Sequence, residues 1–184
     1  AELDESDGHL ASASCRIAVL TNVDREHFEH YRDFEDICRT FRCYLRGVSD
    51  DGLAVVCADS PAAATLARTS GKRIAFYGLT DAADYRAENV RLGPDGSVFD
   101  AVTPRGTMKD VELALTGVHN VQNAMAAVAV ANEIGIADDA LRGMFSSAPR
   151  VGRRMERHEL PRGVEVIVDY AHHPAKVAAT LAAV

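Results

Sequence analysis

The chain has 184 residues and a formal net charge of −7, with 47% hydrophobic and 26% charged residues. This composition supports an ordinary core and excludes a disordered chain. The acidic balance excludes general nucleic-acid binding, which needs a basic face, but leaves room for a nucleotide held by a few cationic groups and a metal.

Cys15, Cys38, Cys43 and Cys57 form no CxxC pair and lie near no His-rich segment, which argues against structural zinc. No stretch reads as a secretory leader or a bilayer span, so a reduced, cytoplasmic protein is expected. Residues 1–7 open on acidic residues with no strand before them, and the helical pattern of residues 173–184 has no Gly cap. Both ends therefore read as cut from a longer protein.

In chain order, the apolar run Ile17-Ala18-Val19-Leu20 predicts a strand buried on both faces. It stops at Thr21-Asn22 and is followed by Asp24, Glu26, His27, Glu29 and His30. In parallel sheets ligands sit beyond the carboxyl ends of the strands, so these groups are candidates for chemistry. A solvated loop entering a helix explains the same residues. Residues 33–46 carry apolar side chains at helical spacing, with Asp33 as N-cap. Residues 53–57 predict a second buried strand, and residues 61–68 a helix capped by Ser60 with Pro61 at its first position. Residues 73–78 predict a third strand. This alternation implies parallel pairing with right-handed crossovers.

The rhythm changes at Asp84. Residues 85–92, 97–102 and 108–115 are strand-like and separated by Gly-Pro turns, which predicts a β-meander attached to the sheet. Residues 121–134 are apolar almost all round and predict a buried helix stopped by Gly135. A second helix covers residues 138–145, with Leu141, Met144 and Phe145 on one side. Residues 155–160 and 164–168 are two more strands, and Asp169–Pro174 opens the last helix. A domain boundary is expected near Gly152.

Three polar constellations interrupt the apolar pattern. Glu2, Asn22 and His27 suit a hard divalent cation, although polar side chains that simply face solvent explain them as well. Asn120 and Asn123 begin the long helix, where unpaired N–H groups favour anionic or polar ligands. N-capping accounts for Asn120 but not for the second asparagine. Arg153-Arg154 and the run Asp169-Tyr170-Ala171-His172-His173-Pro174 suit phosphate and ribose, against the alternatives of a solvated pair and structural histidines.

Five blocks, ELDESDG, TNVDREHFEHY, GVHNVQNAMAAVAVANEIGI, VGRRME and VDYAHHP, occur in this order. Together they resemble the Mur ligases of bacterial peptidoglycan synthesis, and among them the alanine-adding branch. The resemblance implies an α/β fold: a mostly parallel sheet flanked by helices with an antiparallel meander, followed by the first elements of a Rossmann-like C-terminal domain. Residues 1–151 would be the central ATPase domain without its phosphate loop, and residues 152–184 the start of the C-terminal domain.

The implied chemistry is ATP-dependent activation of the UDP-N-acetylmuramate carboxylate as an acyl phosphate, followed by attack of the L-alanine amine. Glu2 and His27 would hold Mg²⁺. Asn120 and Asn123 would face the adenine side of ATP, Arg154 and Asp169 its phosphates and ribose, and Tyr170 and His172 the substrate. Asn22 would shape the loop, while Glu29 and His30 would be solvated. Leu3 and Arg25 stand where the family has smaller residues. The chain alone is expected to lack ligase activity. Two alternatives are a ligase that recycles tripeptide onto UDP-N-acetylmuramate and a non-catalytic scaffold that keeps the fold.

Overall fold

The structure is a computed structural model that describes residues 2–149 and 151–182. Its body is a six-stranded sheet in the order β1-β2-β3-β4-β5-β6. Strands β1 (Cys15–Leu20), β2 (Val48–Cys57), β3 (Ile74–Gly78) and β4 (Tyr85–Leu92) run parallel, and the meander continues with β5 (Ser97–Thr103) antiparallel to β4 and β6 (Gly106–Leu113) antiparallel to β5.

Alternation along β2 builds two cores. Leu53, Val55 and Cys57 face α3 (Val118–Ile134) and α4 (Asp138–Ser146), while Ala54 and Val56 face α1 (Phe34–Arg46) and α2 (Pro61–Arg68). Successive strand side chains point to opposite faces, so a continuous apolar run suits a strand covered on both sides. The caps read from the sequence are present. Asp33 accepts from Asp36 N at 2.9 Å, Ser60 caps α2, and Gly135 closes α3 in the left-handed region at φ 79°.

Three expectations need correction. β1 is not buried on both faces, and among the described residues it pairs on one side only, with β2. Ala18 and Leu20 are covered, but Val19 is 39% exposed and borders an apolar groove of about 760 Å³ between β1 and the α3–α4 side. Asn120 does not cap α3. Gly117 occupies that position at φ 98°, and Asn120 Nδ2 instead donates to Thr116 O at 2.7 Å. Met144 is exposed rather than packed with Leu141 and Phe145. The first two depend on where neighbouring elements sit, which a local run of residues does not encode.

Beyond α4 the chain forms a separate antiparallel ribbon, β7 (Glu156–Leu160) and β8 (Val164–Val168), followed by α5 (Pro174–Ala182). Lys176 of α5 donates to Glu26 in the loop after β1 at 3.0 Å. Among the described residues no helix is long and apolar enough to cross a membrane.

Candidate active-site cleft

A cleft of about 700 Å³ opens beyond the carboxyl ends of the parallel strands, between the loop after β1, the start of α3 and the junction of β8 with α5. It gathers the eight side chains to which the family resemblance gives a metal, nucleotide or substrate role, whereas Arg153 and His173 are not in its lining. Glu2 and His27 lie on one wall and Asn120 and Asn123 on the helix end. Arg154, Asp169, Tyr170 and His172 come from the ribbon side. Cys57 and Tyr77, at the ends of β2 and β3, contribute to its lining.

His27 stands in the left-handed region at φ 59°, and its carbonyl accepts from His30 N and Tyr31 N. Non-glycine residues rarely adopt this conformation, so the turn is a local strain point at the mouth of the cleft. Nε2 of His27 lies 3.4 Å from Glu5 Oε1, and Nδ1 lies 3.2 Å from Glu29 Oε1. The metal pair expected from the sequence was Glu2 with His27. Among the described residues, the set that brings one ligand atom from each residue within 4.8 Å is instead Asp4, Glu5 and His27, with Glu2 elsewhere along the cleft.

The local cause is a short 3-10 turn, Glu5–Asp7. Asp4 caps it, accepting from Ser6 N at 2.8 Å and Ser6 Oγ at 2.6 Å, while the Tyr31 hydroxyl donates to Glu5 O at 2.5 Å. The Ser6 hydrogen bonds hold the Asp4 carboxyl below the usual range, which favours its charged form. Two carboxylates and an imidazole are the donor set of a hard or borderline divalent cation.

Glu29 is exposed, as expected of a solvated residue, and it also touches His27. Its own backbone N–H and the His27 ring lower its pKa, and it contacts Nδ1 while Nε2 lies toward Glu5 and Glu26. A carboxylate two residues after a candidate histidine ligand was the available signal. A second set, Asp24, Glu26 and His173, already hosts the Lys176 ammonium on Glu26.

Asp169 uses both carboxylate oxygens. Oδ1 accepts from Ala171 N at 2.8 Å and Thr180 Oγ1 at 3.2 Å, and Oδ2 accepts from Met155 N at 2.9 Å. Burial opposes its ionisation, but the hydrogen bonds outweigh burial and leave the pKa lowered. The Arg154 guanidinium lies 6.0 Å above the Tyr170 ring, and Tyr170 meets His172 edge-on at 5.3 Å between centroids. His119, missed as a site residue, lines the same cleft. Burial pushes its pKa down, Asp169 pulls it up and Arg154 opposes that pull. Its place beside Asn120 was the sequence signal. Asn22 is exposed at the cleft's edge. Of the two unusual residues, Leu3 borders the apolar groove, and the Arg25 guanidinium stacks 5.2 Å from the Phe34 ring.

The model of the Mur ligase middle domain matches residues 2–131. The chain is 40% identical to the UDP-N-acetylmuramate–L-alanine ligase of Phenylobacterium zucineum, over 99% of this chain and 39% of that protein. It is also 40% identical to the ligase of the same name from Brucella anthropi, over 99% of this chain and 40% of that protein. The chain thus spans about two fifths of these curated relatives' length. Among solved structures it resembles MurF from Acinetobacter baumannii, with a TM-score of 0.82 at 25% identity over 94% of this chain and 38% of that one. It also resembles the UDP-N-acetylmuramate–alanine ligase MurC from Thermotoga maritima, with a TM-score of 0.80 at 24% identity over 98% of this chain and 40% of that one. The second likeness concerns the fold alone.

Proposed function

Because this chain belongs to the Mur ligase family, we propose that it forms part of a cytoplasmic, ATP-dependent ligase joining L-alanine to UDP-N-acetylmuramate in peptidoglycan synthesis. In this reading residues 1–151 contribute to the central ATPase domain and residues 152–184 begin the C-terminal domain. The carrying observation is the single cleft lined by the eight side chains to which the family resemblance gives a role. The fold is common to MurF and MurC and selects no acceptor. The alanine acceptor rests on the names of relatives at 36–40% identity. Those names lend no support to the tripeptide-recycling or scaffold readings.

His27, Glu5 and Asp4 would hold a Mg²⁺ ion, with Glu2 nearby along the cleft and Glu29 against the His27 ring. When bound, the ion supplies charge neutralisation for phosphoryl transfer, which depends mainly on positioning and electrostatics. Asn120 spends one N–H on Thr116 O and keeps its remaining polar capacity for the adenine side, alongside Asn123. Asp169 retains one acceptor direction on Oδ2 for a ribose hydroxyl, and the Arg154 guanidinium meets phosphate oxygens. Tyr170 and His172 face the muramyl side. The muramyl carboxylate would take the γ-phosphoryl group of ATP to form an acyl phosphate, with ADP as the leaving group. Attack by the alanine amine then forms the amide and releases phosphate.

In the full-length protein, His27→Ala should lower Mg²⁺-dependent, alanine-dependent ADP release by more than about a hundredfold, beyond the loss usual for an outer metal-site residue. Tm should change by only about 3 °C, because a loop side chain contributes little packing. Unchanged turnover with a large fall in Tm would make His27 structural. ADP release driven by tripeptide but not by alanine would overturn the acceptor assignment.

A further inference from the structure

One carboxylate outside this set collects its donors from two other segments, one of which, the start of α3, borders the cleft. Asp59 lies in the turn after β2. Its Oδ2 accepts from Leu79 N at 2.8 Å and from Gln122 Nε2 at 2.8 Å, and its Oδ1 accepts from Thr80 N at 3.1 Å. Leu79 and Thr80 form the turn between β3 and β4, whereas Gln122 lies on α3 between Asn120 and Asn123. Gly78 allows this close approach. Its φ is 155°, and a Cβ there would stand 2.6 Å from Asp59 Oδ2. Burial opposes the charge on Asp59, and its hydrogen bonds overcome that opposition.

The helix end that Asp59 reaches has no capping side chain, since Gly117 is its N-cap. Gln122 lines the cleft, while Asp59 stands behind it. A charged acceptor fixed by two backbone N–H groups thus holds the Gln122 amide, and with it the turn of helix that carries both asparagines. Bonds of this type are stronger and more directional than neutral ones.

We infer that Asp59 is a positioning residue for the cleft-facing end of α3, acting through Gln122 to place Asn120 and Asn123 without itself touching the ligand. The inference rests on the reading of that helix end as the adenine side of an ATP site. Gln122→Met keeps the side-chain volume and cuts only the tie to α3, leaving the Leu79 and Thr80 bonds in place.

In the full-length protein this variant should weaken MgATP binding, measured by calorimetric titration, and raise KM for ATP by about tenfold, the factor set by one charged hydrogen bond. KM for UDP-N-acetylmuramate and for L-alanine should stay within about twofold, kcat should fall less than KM for ATP rises, and Tm should move by no more than about 3 °C. Asp59→Asn places amide N–H groups against backbone donors and should weaken ATP binding further, with a lower Tm. ATP binding by Gln122→Met equal to that of the unaltered protein would overturn the inference. So would a uniform loss of all three substrates together with a large fall in Tm, the mark of a purely structural contact. If the unaltered protein binds no ATP, the nucleotide reading of the cleft fails first and the inference falls with it.

Discussion

In the six-stranded body, Phe99, Val111, Val121 and Val128 have no exposed surface, whereas in the ribbon Leu160 is 49%, Val164 51% and Val166 37% exposed. The two walls of the cleft therefore hold their polar side chains by different means. The helix end bearing Asn120 and Asn123 rides on a backbone packed against a dry core. The Arg154–Asp169 wall depends on a carboxylate with three donors and on a lysine reaching across to Glu26. One wall is preset by burial of apolar surface, and the other is assembled from individually modest polar contacts.

The largest expected effect tests the buried wall. Phe99→Ala should cost about 3–5 kcal/mol in urea unfolding of this chain, while Val166→Ala should cost less than about 1 kcal/mol. Equal losses would erase the contrast. Next, Asp169→Ala should cost about 1–3 kcal/mol locally. Amide exchange should quicken at Met155 and Ala171 and stay unchanged along α3. Faster exchange in α3 would mean that the two walls are one cooperative unit.

His119 sits where the walls meet, facing Asp169 and Arg154. Its folded pKa lies below the ordinary 6.5, chiefly through burial. Below that pH the unfolded chain takes up the proton more readily. The contribution of His119 to stability is therefore complete above 6.5 and is lost as pH falls through the folded value. Stability curves at pH 7.5 and 5.5 should converge in His119→Gln relative to the unaltered chain, and an unchanged pH slope would show that His119 is solvated. The smallest effect belongs to the ribbon surface. Arg157→Ala removes a 2.6 Å pair with Glu165 and should cost less than about 0.5 kcal/mol, read as a shift in the urea midpoint.

Several parts of the fold were legible because their causes are local. The helical spacing after Asp33, the Ser60-Pro61 start of α2, the glycine stop of α3 and the Gly-Pro turns of the meander each carry their own conformational preference. The eight cleft residues were found as polar interruptions of apolar runs and through the ordered family blocks. The grouping of Asp4 and Glu5 with His27 is not legible in the sequence, because which of the neighbouring carboxylates approaches the ring turns on a single 3-10 turn and a tyrosine hydroxyl 26 residues away.

By itself, then, the sequence determined the element order, the change from parallel to antiparallel pairing and the family. Periodicity, turn chemistry and ordered motifs are properties of contiguous residues. The tertiary structure alone decided that Val19 of β1 is left exposed, that Glu5 lies against His27, and that Asp59 reaches across 63 positions to Gln122. Each of those outcomes depends on contacts between segments whose own residues fit several neighbours equally well, and only packing of the whole chain selects one.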